Sequence, residues 1–188
     1  MFIDKVLATT LGAVFLLVLA CEGPATEKND DKDTAVVKTL KHEPAFWDYA
    51  ASSNMLQIEI AKVAAGKGAT EQTRSMAREA LAYHKQALTE LKNLAQKHNN
   101  IQLPDKLTGA DLGLVEEFKL LEGKELDIRF REFVLSTHNA QLNRYAEALT
   151  KAEDQGTRDW LADMRVHLQD EISRINTPAP AEIGEEDA

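Results

Sequence analysis

His84, His138 and His167 fall on or beside the apolar lines of three separate helical segments. Imidazoles aimed inward from facing helices, with a carboxylate beside them, are how a helical core holds a transition metal. Glu171 and Glu59 are the carboxylates nearest to those lines. The chemistry this set permits is the binding of one ion of iron, zinc or manganese. A dinuclear oxidase is a poorer fit, because Glu-x-x-His on two helices is its usual signature. The residues three before the histidines are Leu81, Leu135 and Met164. The plainer reading, and the one the thin carboxylate supply favours, is a layer of neutral histidines, hydrogen-bonded to each other, to Ser52 or Ser53 and to Glu171. Such a layer fixes helix pairing at some cost in stability. His42 and His98 read as solvated. No Ser-His-Asp or Cys-His arrangement is present, and Gly66-Lys67-Gly68 is a helix-ending turn without phosphate-loop spacing. No catalytic residue is assigned.

These residues need rods to carry them, and the pattern supplies four. Apolar residues at three-four spacing predict helices over about 44–66, 70–98, 124–153 and 157–176. A short helix over about 110–121 lies in the connection between the second and third. Thr108 followed by Asp111 reads as its capping box. Proline and glycine fall at boundaries. The fold class is all-α: a four-helix up-down bundle with a short extra helix in the longer connection. With both tight turns at one end, His84, His138 and Glu171 lie about 25 Å from it and His167 about one turn nearer. Glu59 is near the edge of the same layer. Asp127 is about 16 Å along the axis from His138. Its expected role is structural, accepting backbone N–H groups at its helix N-terminus.

Cys21 is the only cysteine, and it ends the apolar run from Val6 to Ala20. Fifteen residues are short for a membrane span and suit an export signal. Val18-Leu19-Ala20-Cys21 reads as a lipobox, with the thiol as acyl acceptor. The expected organisation is a removed signal over 1–20, a polar tether over 21–43, the bundle over 44–176 and an acidic tail over 177–188. Attachment is to a membrane through N-terminal acyl chains. Glu22, rather than Asp, favours the outer membrane, with the bundle facing the periplasm. The formal net charge is −9, from 31 acidic and 22 basic residues. No basic block appears, which argues against nucleic acid. Nothing in the sequence names a protein partner.

From Phe46 to Ile175 the chain resembles the bacterial envelope family called domain of unknown function 4142. The residues that carry the likeness are Glu59 in QIEIAKVA, His84 in MAREALAYHKQALTELKNLA, and Leu103-Pro104. Gly123 and Asp127 in LEGKELDIRF, His138 in FVLSTHNAQL and His167 in MRVHLQDEI complete it. The resemblance implies a ferritin-like bundle in the envelope and implies no reaction. Tyr83 stands where the family usually has Asp, which removes a carboxylate beside His84. Leu126 and Phe130 flank Asp127 where the family usually has an aromatic and a tyrosine. Three functional readings follow. The first is a lipid-anchored envelope bundle of non-catalytic role. The second is a metal-binding or oxidase-type protein. The third is a histidine pH sensor losing stability near pH 5–6.

Overall fold

The computed structural model describes residues 39–98 and 101–177. The export signal, the lipobox with Cys21, most of the tether and the tail beyond Thr177 lie outside the described residues. The described chain is all-helical. It forms α1 (Pro44–Lys67), α2 (Glu71–Lys97), α3 (Gly109–Leu120), α4 (Gly123–Lys151) and α5 (Gln155–Asn176). A single 3-10 turn, Leu40–His42, precedes them. It lies in the stretch expected to be tether, yet Leu40 is buried and its carbonyl accepts from the Trp47 indole at 3.0 Å. One leucine among charged neighbours does not register as a pattern, but the Trp47 site gives it somewhere to go.

α1 packs on α2 and α4 on α5; α1 also meets α3 and α4, and α2 meets α5. The two tight turns lie at opposite ends, not at the one end expected from sequence. Gly68, in the first turn, forms a backbone bridge with Gly123 at the start of α4. In the second turn, Asp154 lies 3.2 Å from His98 at the end of α2. Lys151 also pairs with Glu43 at the start of α1. The segment between α2 and α4 therefore carries the chain from one end to the other, and a strict up-down order does not hold. That segment is long enough for the crossing, and α3 buries Val115 and Phe118 along it.

The turns themselves are built alike. Thr70 caps α2 by accepting from Thr73 N at 3.2 Å, and Asp154 caps α5 by accepting from Thr157 N at 2.9 Å. Arg74 Nη1 donates to Gly68 O and Ala69 O, at 2.7 and 3.0 Å. Arg158 Nη1 donates to Ala152 O and Glu153 O, at 3.0 and 2.5 Å. These otherwise orphan carbonyls gain charged donors. Gly68 is required by space, since a Cβ there would stand 2.7 Å from Ala64 O and 2.9 Å from Thr73 Cγ2. Gly123 opens α4 at φ +59°, a conformation costly for other residues. Thr108 occupies the N-cap of α3 but makes no capping hydrogen bond, so the expected capping box is not formed.

The core is two apolar clusters. One gathers Trp47, Tyr145, Trp160 and Leu161, and the other Ile60, Phe118, Leu126 and Phe130. On every long helix a polar stretch separates them: Asn54 and Gln57 on α1, His84 on α2, His138 and Gln141 on α4, Glu171 on α5. All are buried.

Candidate metal centre

The centre sits near the midpoints of the helices. Measured from the end holding the second turn, His84 and His138 are each about 20 Å deep and Glu171 about 24 Å. The placement of the turns at opposite ends leaves this layer intact, because mid-helix residues are near mid-bundle from either end. His84, His138 and Glu171 each offer a ligand atom, and these atoms lie within 4.8 Å of one another. Both imidazoles are 0% exposed and Glu171 is 2% exposed. His138 Nε2 is 2.5 Å from Glu171 Oε2. His167 Nε2 is 3.3 Å from the same oxygen, and its ring remains slightly exposed. The ring of His84 is 6.0 Å from that of His138 and 5.6 Å from that of His167. Two imidazoles sharing an ion at about 2.0 Å per bond place their centres roughly 5–6 Å apart.

The protonation of His84 is fixed by its neighbour. Asn54 Nδ2 donates to Ala50 O at 2.8 Å, which turns its Oδ1 toward His84 Nδ1 at 2.9 Å. An amide oxygen only accepts, so Nδ1 carries the proton and Nε2 carries a lone pair. That Nε2 is buried without a hydrogen-bond partner. Burial pushes the His84 imidazole down to about 3; the Glu171 charge opposes this, and His138 and His167 add to it. His84 is therefore neutral at pH 5–6. A neutral imidazole with its other nitrogen held by a carbonyl is the ligand form used at metal sites.

His138 is held differently. Thr137 Oγ1 donates to Phe133 O at 2.7 Å and accepts from Gln57 Nε2 at 2.9 Å. The same amide nitrogen faces His138 Nδ1 at 3.4 Å. Nδ1 is thus the acceptor, and Nε2–H donates to Glu171. Burial alone would raise the Glu171 carboxyl. Hydrogen bonds from His138 and His167 outweigh it and hold the carboxyl below its ordinary range. For His138 Nε2 to hold an ion, the ring would need its other tautomer, with the proton on Nδ1 and the Gln57 amide turned to offer its oxygen there.

The residues present fit a divalent transition ion. Two imidazoles and a carboxylate suit zinc, iron or manganese, and the lone pair of His84 has nothing else to bind. Glu59 stands apart. Its carboxylate pairs with Lys62 at 2.5 Å on a partly exposed face. Asp127 serves structure, but not at its own helix terminus. It accepts from Ala69 N at 2.8 Å, Thr70 N at 3.0 Å and Thr70 Oγ1 at 2.8 Å, which ties α4 to the first turn. Burial would raise its carboxyl, and these hydrogen bonds lower it. His98 is not solvated: it pairs with Asp154 and tilts against Trp47, ring centres 5.7 Å apart. Ser53 donates to Tyr49 O rather than to a histidine.

The chain matches, over residues 27–177, the family model described as Domain of unknown function (DUF4142). It belongs to that family. No curated protein and no solved structure was found to match it. The family description carries no activity, so the chemistry rests on this chain's own residues.

Asn54, Gln57 and Tyr83 were missed from sequence. Tyr83 stacks on His167, ring centres 3.3 Å apart and planes at 11°, and so flanks the centre. A signal for all three exists at an offset of 84 residues. It pairs Phe46 with Phe130, Gln57 with Gln141, Lys67 with Lys151, Thr73 with Thr157 and Arg74 with Arg158. The same offset pairs Asn54 with His138 and Tyr83 with His167, which marks both as positions facing the interior.

Proposed function

We propose that this is a lipid-anchored protein of the bacterial envelope whose ferritin-like four-helix bundle holds one divalent transition-metal ion, without turnover. His84, His138 and Glu171 are its ligands and His167 stands ready as a fourth. The single observation that carries this reading is the buried Nε2 of His84, a lone pair with no donor to satisfy it, on an imidazole that together with His138 and Glu171 brings three ligand atoms within 4.8 Å of one another. A buried acceptor left unpaired costs about 1–3 kcal/mol, and an ion removes that cost. The depth of the ligands supports binding rather than catalysis. A cleft of about 520 Å³ beside Phe46 and Arg144 is lined by none of the four, nor is one of about 200 Å³ beside Met76 and Phe130. The four-helix, ferritin-like arrangement rests on the packing of two hairpins through a crossing segment that carries α3. The outer-membrane, periplasm-facing location rests on the lipobox reading of Cys21 and on Glu22.

Elemental analysis of tag-free protein, purified without chelator, tests the metal. Near-stoichiometric zinc, iron or manganese is expected, lost in His84→Gln and His138→Gln variants that keep the helical circular dichroism of the parent. Metal-free protein that also takes up none of these ions on addition overturns the reading. The anchor is a separate claim. Mass spectrometry of the mature N-terminus is expected to give an acylated Cys21, and an unmodified Cys21 removes the membrane attachment.

A further inference from the structure

The 84-residue correspondence extends to the hydrogen bonds of the two turns, so α1–α2 and α4–α5 are two copies of one hairpin design. Tyr83 and His167 occupy equivalent positions and stack on each other, which puts the local two-fold between them. A ligand on one hairpin therefore has an equivalent position on the other, and a second ion would need ligands there. The equivalent of His84 is Leu168, that of His138 is Asn54, and that of Glu171 is Ala87. In each pair one member can ligate and the other is occupied by a group that does not. Leu168 and Ala87 are buried in the apolar cluster, and Asn54 is committed to Ala50 O and His84 Nδ1.

We infer that the centre is mononuclear by construction: a two-fold framework in which only one of two equivalent half-sites keeps its ligands, so that it takes one divalent ion and not a pair. This deepens the metal-binding reading and rests on it. Charge gives the same answer independently. Glu171 is the one buried carboxylate among the described residues. One divalent ion leaves the layer with one net positive charge, whereas two would leave it with three. Uncompensated charge in a dry core is strongly disfavoured. A bridging carboxylate pair, which dinuclear chemistry would need, is absent from the described interior. The residues that break the symmetry also do other work: Asn54 orients His84, and Leu168 packs beside Met164 and Trp160 in one cluster.

The test is a titration of the metal-free chain with zinc against a chromophoric chelator, repeated with manganese followed by electron paramagnetic resonance. A single break at one equivalent and the spectrum of an isolated manganese ion are expected. Glu171→Gln, checked for retained helicity, is expected to weaken the break at least 10-fold without exposing a second, weaker one. Two equivalents of tight binding, or an exchange-coupled manganese pair, would overturn the one-ion inference while sustaining the metal-binding reading. No uptake of either ion overturns both.

Discussion

In the first hairpin Arg74 holds the carbonyls of Gly68 and Ala69, and in the second Arg158 holds those of Ala152 and Glu153. Thr70 and Asp154 cap the returning helices through the same backbone position. Half-way along, Gln57 still answers to Gln141, but the residues around them diverge. Where the first hairpin places Asn54 and His84, the second places His138 and Leu168, and the carboxylate of Glu171 answers to Ala87. Turn chemistry is local, and the same few residues solve it wherever a helix must reverse. Interior chemistry is shared between hairpins, so each copy is free to supply a different part. The difference between turn and middle is therefore where structure gives way to function.

The largest effects are expected at the middle of the helices. In metal-free protein, His138→Leu leaves Glu171 buried without its closer donor. It is expected to cost about 3–5 kcal/mol, read by urea unfolding. His138→Leu with Glu171→Leu is expected to recover most of that loss, because the desolvated pair is then gone. Equal losses in the single and double variants would show that the pair is not what the layer depends on.

Acid acts on the same layer. The His84 imidazole is depressed in the folded state, so its neutral form contributes stability above the unfolded value near 6.5. That contribution is lost as pH falls from about 6.5 toward 3, at up to about 1.4 kcal/mol per pH unit. Glu171 is also depressed, and its share is lost only below its unfolded value near 4.5. Between pH 6.5 and 4.5 the metal-free parent is expected to lose stability more steeply than His84→Gln. Identical slopes would mean that His84 is not buried neutral.

At the turns the two copies are expected to respond alike. Arg74→Ala and Arg158→Ala each remove charged donors from two carbonyls and should each cost about 1–2 kcal/mol in thermal unfolding. Asp127→Ala sharpens the contrast, since α4 braces only the first turn. It should add a similar loss that Arg158→Ala does not enhance and Arg74→Ala does. The smallest effect is expected at Glu59. Its pair with Lys62 is surface-exposed, so Glu59→Gln should change stability by less than about 0.5 kcal/mol and leave metal uptake unchanged. Loss of metal in that variant would draw Glu59 into the centre.

The helices were legible because burial imposes a three-four rhythm on Leu81, Leu88 and Leu91 or on Phe130, Phe133 and Val134 that no strand pattern shares. The depth of His84, His138 and Glu171 was legible because helix rise is constant, even though the turns were placed at the wrong relative ends. Asn54 and Gln57 were not legible from periodicity, since a neutral amide beside an apolar line looks like a solvent-facing residue; only the 84-residue correspondence marks them. The true partners of Asp127, Ala69 and Thr70, were not legible because they are 58 and 57 residues away. Contacts at that separation leave no periodic trace. The direction of α4 was hidden for the same reason: the crossing segment, not the helices, decides it.

X-ray absorption at the zinc edge, on protein loaded with one equivalent, reads the ligand set of the centre itself. Two or three imidazole nitrogens and a carboxylate oxygen at about 2.0 Å are expected, with one imidazole lost in His84→Gln. A shell of oxygen alone, or an imidazole count unchanged by His84→Gln, would contradict that ligand set.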